Sequence, residues 1–337
     1  MTIHVRAPGR VNLIGDHTDY TGGLVMPMAI DRWTEIRAIP ADTITLHSDD
    51  ETEPAELQLN IDDPHHVEPH WARYVAGVVA EMRPYGGFIG TVATDIPIGA
   101  GLSSSAALEL AVALALGFDG DALSLAQLCR RAEIRASGVP CGIMDQLVIA
   151  AGVADHALLI DCGDLTIEPV RIPDEVDIVV KFIAHRALVG SAYARRVAEC
   201  ETAESLIGPL RTADLSDTLA VADPAIRARA QHVVSENQRV REFATALRSG
   251  DLAAAGSLMV ASHNSLRDLY ATSTPVMDEA VEQLMSRPGV YGARMTGGGF
   301  GGCVVAMTEP GAIDDGWVVR AVDGAHRVDE PEVGRPP

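Results

Sequence analysis

The chain has 337 residues, 47% of them hydrophobic, which is enough to bury a substantial core and to build about two structural units. Its 26 basic and 47 acidic side chains leave a formal charge of −21, which opposes encounter with nucleic acid or an anionic membrane surface. Any anion must therefore be held locally, by backbone N–H groups, a helix N-terminus, a metal ion or a few placed arginines. Cys129, Cys141, Cys162, Cys200 and Cys303 are scattered and form no C-x-x-C pair, so neither a disulfide framework nor a zinc site is expected. No leader pattern opens the chain and no apolar stretch reaches spanning length, so a soluble cytoplasmic protein is expected.

In chain order, short apolar runs at 3–5, 11–14, 43–46 and 90–94 predict strands among a few helices, an α+β pattern. The run Arg10-Val11-Asn12-Leu13-Ile14-Gly15-Asp16-His17-Thr18-Asp19-Tyr20 gathers a guanidinium, two carboxylates, an imidazole and a hydroxyl around one glycine. Such mixed donors and acceptors suit the hydroxyls of a polyol, and equally a solvated polar loop. The histidines at 65, 66 and 70 match no familiar metal-ligand spacing and read as a polar loop.

Gly99-Ala100-Gly101-Leu102-Ser103-Ser104-Ser105 joins a strand-like run to a helix predicted over 102–117. Its glycines let backbone approach a ligand and the helix start offers unpaired N–H donors, the makings of a phosphate cradle or of a serine-capped helix. No Lys follows the last Gly, so this is not a Walker loop, and Ser104 replaces the third Gly of a dinucleotide fingerprint. In Gly138-Val139-Pro140-Cys141-Gly142-Ile143-Met144-Asp145-Gln146 a carboxylate precedes an apolar run; Asp145 reads as a base, a cation partner or a helix cap. Glu133, in the helical stretch before it, resembles any surface acid.

The second half turns helical near Ala192. Asp223-Pro224 predicts a cap and first helical residue, and Gly250 a stop. Asp251 predicts the cap of a further helix to about Tyr270. The glycines at 297–302 formally match G-x-G-x-x-G, which would favour a nicotinamide-binding oxidoreductase, but a strand-like run follows where that fingerprint needs a helix. A tight turn or a close backbone approach to a ligand remains. The final residues are charged and Pro-rich, and a mobile tail is expected over 326–337.

Together, GRVNLIGDHTDYTGG, PIGAGLSSSAA, GVPCGIMDQ and RMTGGGFGGC resemble the motifs of the GHMP kinases (galactokinase, homoserine kinase, mevalonate kinase and phosphomevalonate kinase), and within them the galactokinase branch. The resemblance spans about 6–306. It implies a two-domain α+β fold, with an N-terminal domain over 1–175 that has a ribosomal-S5-like portion, and a ferredoxin-like C-terminal domain over 176–325. The active site would lie in the cleft between them. It further implies that Gly99 to Ser105 hold the triphosphate of ATP, that Ser105 and Glu133 bind Mg²⁺, and that Trp71 and Tyr74 contact the nucleotide. Asp16, His17, Thr18, Asp19, Gly142 and Tyr193 would contact the sugar, Asp145 would face its anomeric hydroxyl, and Arg10 would sit between Asp145 and the transferred phosphate. Expected partners are a small sugar and ATP, with no nucleic acid or membrane, in a monomer or weak dimer. Asp16 stands where the family signature has Glu, residues 184–190 match loosely, and the chain is short for the family. A kinase for arabinose or galacturonate, or a non-catalytic sensor of sugar and ATP, would share these motifs; the intact loop with Arg10, Glu133 and Asp145 favours an enzyme.

Overall fold

The computed structural model describes residues 2–185 and 189–328. The chain opens with β1 (Ile3–Asn12), a short β2 (Leu24–Val25) and β3 (Pro27–Ala41), followed by β4 (Ile44–Ser48), β5 (Ala55–Leu57), helix α1 (Ala72–Met82) and β6 (Gly87–Thr94). Helices α2 (Ser104–Ala115), α3 (Ala122–Ser137) and α4 (Met144–Ala151) come next, then β7 (His156–Asp161), β8 (Thr166–Arg171) and β9 (Asp177–Ala184). The second half runs through α5 (Val189–Ile207), α6 (Pro224–Ser249), α7 (Leu252–Ser265), α8 (Pro275–Met285), β10 (Val290–Thr296), β11 (Gly302–Thr308), β12 (Trp317–Val319) and β13 (His326–Arg327).

Six strands form one sheet in the order β13-β1-β3-β6-β4-β5, and four form a second in the order β10-β11-β9-β12. A small sheet, β2-β7-β8, is the third. Helices α2 and α4 pack on β1 and β3, α1 and α3 pack on each other, and α7 and α8 cover β10. The α+β expectation agrees with this arrangement. The long strand β3 had not stood out in the sequence, because its apolar alternation is interrupted by Asp31, Arg32, Glu35 and Arg37.

Two local features aim the chain at the cleft. The β1–β3 register shifts between Pro8 and Gly9, and a side chain at Gly9 would crowd the Leu102 carbonyl at 3.0 Å. That close approach lets the Arg10 N–H donate to Leu102 O at 3.1 Å, so β1 carries Arg10 directly under the entry to α2. The caps of α6 form as the sequence predicts: Asp223 Oδ1 accepts from the N–H groups of Ala225 (2.8 Å) and Ile226 (3.1 Å), and Gly250 closes the helix with φ +73°. Asp251 caps α7, which continues as a π-helical turn over Leu266–Tyr270.

The C-terminal segment departs from expectation. After β12 the chain returns to the first sheet, where the Asp31 N–H donates to Arg320 O and the Val322 N–H to Ala29 O, each at 3.1 Å. Strand β13 then pairs with β1, setting Arg327 against Val5 and His326 against Arg6. The expected tail therefore begins with an edge strand. Backbone pairing needs no apolar side chains, so the polar composition concealed it. Residues 329–337 lie outside the described residues, as do 186–188 of the loosely matching segment.

Candidate active site

A turn with three left-handed residues, Gly99 (φ +76°), Gly101 (φ +82°) and Ser103 (φ +63°), leads into α2. Two of the three are glycine, which adopts this conformation without strain. Gly99, Gly101, Ser103, Ser104 and Ser105 line a cavity of about 400 Å³, together with Trp71 and Tyr74. Ala100 and Leu102 are buried beneath the turn, and the Leu102 carbonyl is taken by the Arg10 N–H. Trp71 donates its indole N–H to Glu53 O at 3.1 Å, so its ring borders the cavity with its polar edge already used.

Asp145 is the second residue of α4 and does not cap it; Ile143 occupies the cap position. Its carboxylate instead meets Arg10, with Arg10 Nε donating to Oδ1 and Nη2 to Oδ2, both at 2.7 Å. This is a bidentate fork, and Arg10 Nη1 also donates to Gly101 O at 2.6 Å. Three of the five guanidinium N–H donors are thereby used. Burial works against the charge on Arg10, but Asp145, with Asp16 and Asp19, outweighs it and raises the pKa. The Ser103 hydroxyl, expected on the phosphate, donates to Asp145 Oδ2.

Glu133 on α3 accepts from the Ser105 hydroxyl at 3.0 Å and from the Gln146 side-chain amide. Burial in the cleft wall, with Asp145 nearby adding repulsion, pushes its carboxyl up to about 7. The composition of α3 gave no hint of this, since a single Glu on an amphipathic helix reads as solvated.

A second cavity, of about 500 Å³, opens on the other side of Asp145 and is lined by Asp16, His17, Asp19, Gly142 and Tyr193. The two cavities share Arg10, His70, Tyr74, Ser105, Glu133 and Asp145 as their common wall. Asp19 is pushed up to about 7, chiefly by burial and then by Asp145. Gly142 is pressed so closely on Asp19 that any side chain there would overlap the carboxylate. His17, itself left-handed at φ +67°, hydrogen-bonds the Tyr20 hydroxyl through Nδ1 at 3.1 Å, and Tyr193 lies beside it with ring centroids 5.6 Å apart.

Two expected residues are placed differently. Thr18 is fully buried and points inward, its hydroxyl meeting Gly15 O at 2.9 Å and Leu24 O at 2.6 Å, where it closes the loop. Asp16 borders the cavity but is only 1% exposed. Its Oδ2 pairs with Arg294 at 2.7 Å and its Oδ1 accepts from the Gly297 N–H at 3.0 Å. Burial raises its pKa against the pull of Arg294.

A model of the galactokinase galactose-binding signature matches residues 2–39, the GHMP kinases N terminal domain 73–153 and the GHMP kinases C terminal model 243–316. Galactokinase from Bos taurus is 44% identical over 91% of this chain and 84% of its own length. The chain belongs to the galactokinase family. The family member from Roseiflexus sp. (strain RS-1) is likewise 44% identical, over 92% of this chain and 84% of its own. A crystal structure of Lactococcus lactis galactokinase complexed with galactose superposes with a TM-score of 0.90 at 30% identity, covering 97% of this chain and 95% of that one. A mevalonate kinase structure, 21% identical with a TM-score of 0.66, shares the fold. The two-domain GHMP architecture and the phosphotransferase class follow, and the oxidoreductase alternative falls away: Gly302 opens strand β11 rather than a helix.

As a galactokinase-family site, the cleft also draws on the glycine turn at 297–302, read from the sequence as a tight turn or a ligand approach: Gly297 and Gly298 line the second cavity, and Arg294, which the sequence did not single out, sits fully buried behind it. RMTGGGFGGC carries both, yet a lone Arg before a glycine turn gives no sign that it faces a carboxylate 278 positions away (294 − 16). No helix among the described residues is long and apolar enough to cross a membrane.

Proposed function

We propose that this protein transfers the γ-phosphate of ATP to the anomeric hydroxyl of galactose. The observation that carries the reading is the Arg10–Asp145 fork in the wall common to the two cavities, where a phosphate from one side and a hydroxyl from the other would meet. The cavity bounded by Gly99, Gly101 and Ser103–Ser105 takes the triphosphate, using N–H groups of the first turn of α2 that have no partner within the helix. The cavity bounded by His17, Asp19, Gly142 and Tyr193 takes the sugar.

Ser105 and Glu133 present a hydroxyl and a carboxylate 3.0 Å apart, hard oxygen donors of the kind Mg²⁺ prefers. A carboxyl pushed up to about 7 by burial and like charge is one that a cation would relieve, so the donor set fits. The bound ion would neutralise charge on the phosphate oxygens and align them. Ser105→Ala and Glu133→Ala are expected to shift the Mg²⁺ titration of activity to higher concentration; wild-type Mg²⁺ dependence in both would remove this assignment.

In the transfer the sugar oxygen forms a bond to the γ-phosphorus, the bond to the β-phosphate oxygen breaks, ADP leaves and the hydroxyl proton passes to Asp145. Three hydrogen-bond donors fix its carboxylate in place, which suits Asp145 to orienting the hydroxyl and taking the proton late. The two guanidinium N–H groups of Arg10 not used on Asp145 and Gly101 can follow the charge on the phosphoryl group. The scattered cysteines support a reducing, cytoplasmic setting. Sugar-dependent ADP release from Mg-ATP, measured over aldoses, uronic acids, mevalonate and homoserine, tests the reading. Galactose should give the highest specificity constant, and no release with any sugar would overturn it.

A further inference from the structure

The loop over 15–24 carries His17 and Asp19, yet its backbone is awkward to hold. Gly15 (φ +96°), His17 (φ +67°) and Gly22 (φ +68°) are all left-handed, so it cannot satisfy its polar groups as a regular element would. Several of those groups are met by one face of α6. Glu236 Oε1 accepts from the Gly15 N–H at 3.0 Å, His232 Nε2 meets Asp16 O at 3.2 Å, and Asn237 Oδ1 accepts from the Leu24 N–H at 2.7 Å. The spacing i, i+4, i+5 puts all three on one helical face. Each is at least 97% buried, and none lines either cavity.

These side chains are themselves held. Glu236 also accepts from the Ser262 hydroxyl and, at 2.6 Å through Oε2, from Arg239 Nε. Burial opposes its charge, but Arg239 and neighbouring cations outweigh it and hold the carboxyl down at about 2. Burial pushes His232 down to about 4, so the imidazole is neutral; Asp16 O can only accept, which makes Nε2 the donor and Nδ1 the acceptor of the Ser265 hydroxyl at 2.8 Å. The fit is close as well: a side chain at Gly23 would land on Asn237 Oδ1, and one at Gly15 on Val240. A buried carboxylate and imidazole cost more to place than apolar residues of the same size, so packing alone does not account for them.

We propose that His232, Glu236 and Asn237 are positioning residues that seat the sugar loop and so set sugar affinity from outside the cavity. The inference rests on the sugar-kinase reading for its kinetic consequence, but the seating itself can be measured without turnover. The nucleotide turn is held separately, by β1 under the start of α2.

The test uses the full chain with Glu236→Leu and Asn237→Ala, which remove an acceptor from the loop, and Glu236→Gln, which keeps the acceptor for Gly15. Hydrogen exchange in the ligand-free protein should speed up over 15–24 in the first two and stay near wild type over 99–105. The KM for galactose should rise at least about tenfold, the size expected for losing one buried hydrogen bond, while the Kd for ATP stays within about twofold. Glu236→Gln should recover most of the galactose KM. Unchanged exchange over 15–24, a parallel loss of ATP and sugar affinity, or failure of both disruptive variants to fold would each overturn the proposal. Faster exchange over 15–24 in the two disruptive variants, together with a wild type that phosphorylates no sugar, would uphold the seating and overturn only the kinase reading.

Discussion

The two cavities that meet at Asp145 are built on different principles. On the proposed nucleotide side the phosphate-facing part is one contiguous turn, 99–105, whose chemistry is mostly backbone and a helix N-terminus; Thr34, Ser48, Val92 and Thr94 of the first sheet, with Trp71 and Tyr74 at the start of α1, wall the rest. The sugar side draws on β1 and its loop, the segment before α4, α5 and the turn after β10, with α6 and Arg294 behind. A phosphate needs many donors and little shape, which a local glycine–serine turn supplies. A sugar needs a few side chains at fixed distances, and these are over-determined by buried polar groups from distant parts of the chain. Changes on the first side should therefore be read through ATP and metal, and changes on the second through sugar affinity, with the wall between them governing turnover.

The wall should give the largest effect. Asp145→Asn is expected to lower kcat by at least about a hundredfold with ATP still bound, the usual size of a general-base and positioning contribution. Arg10→Ala should act on kcat in the same way, because charge on the phosphoryl group grows in the transition state. An Arg10 variant changed only in sugar affinity would move that residue out of the wall and blur the division.

Gly142→Ala is the sharpest steric probe of the sugar side. Its new methyl overlaps the Asp19 carboxylate, which must swing aside or push the segment before α4. Losing a hydrogen bond to a charged group costs roughly 1.5–3 kcal/mol, so the galactose KM should rise by about tenfold to a hundredfold. ATP affinity measured by calorimetry should hold. A drop in ATP affinity of similar size would mean that the two sides are not mechanically separate.

What was legible in the sequence follows the same division. The turn at 99–105 and the ends of α6 are encoded within a few residues, by glycine, serine and Asp-Pro at characteristic offsets, and both were readable. Asp145 could be narrowed to a base, a cation partner or a cap, but the choice depended on Arg10, 135 positions away, and on the Ser103 hydroxyl. Glu236, His232 and Arg294 have the composition of a solvated surface; only the tertiary structure turns them inward. Thr18 misled for the opposite reason, since a hydroxyl between two likely-looking ligands reads the same whether it faces the cavity or closes the loop.

A smaller effect should appear in the pH dependence of stability. Asp19 is pushed from the usual aspartate range up to about 7, with burial as the larger cause and Asp145 the second. A folded-state pKa raised above the unfolded value gives stability that is fully present below about 4 and lost as pH rises through about 7. The ligand-free wild type should therefore lose Tm between about pH 4 and about 7, and Asp19→Asn, which has no charge to bury, should show a shallower fall. Parallel slopes in the two proteins would show that Asp19 is solvated in the free enzyme.

The last expected effect is the most specific to this chain. Asp16 stands where the family signature has Glu, and by resemblance that position approaches the 6-hydroxymethyl group of galactose. Here the shorter carboxylate is drawn back, with one oxygen on Arg294 and the other on the Gly297 N–H. At 1% exposure it has little left to offer a ligand. Losing a charged partner for the 6-hydroxyl should reduce discrimination in favour of the hexose by about tenfold to a hundredfold. L-Arabinose keeps the ring stereochemistry of galactose without C6, so it should be an unusually good substrate relative to galactose. Asp16→Glu adds one methylene and can reach into the cavity while Arg294 still neutralises it, which should swing the ratio of specificity constants back toward galactose. A water bridging Asp16 to the 6-hydroxyl would already supply the contact. In that case the kcat/KM ratio for galactose over L-arabinose would not change with Asp16→Glu, and the retracted carboxylate would lose its part in specificity while the assignment of the two cavities stands.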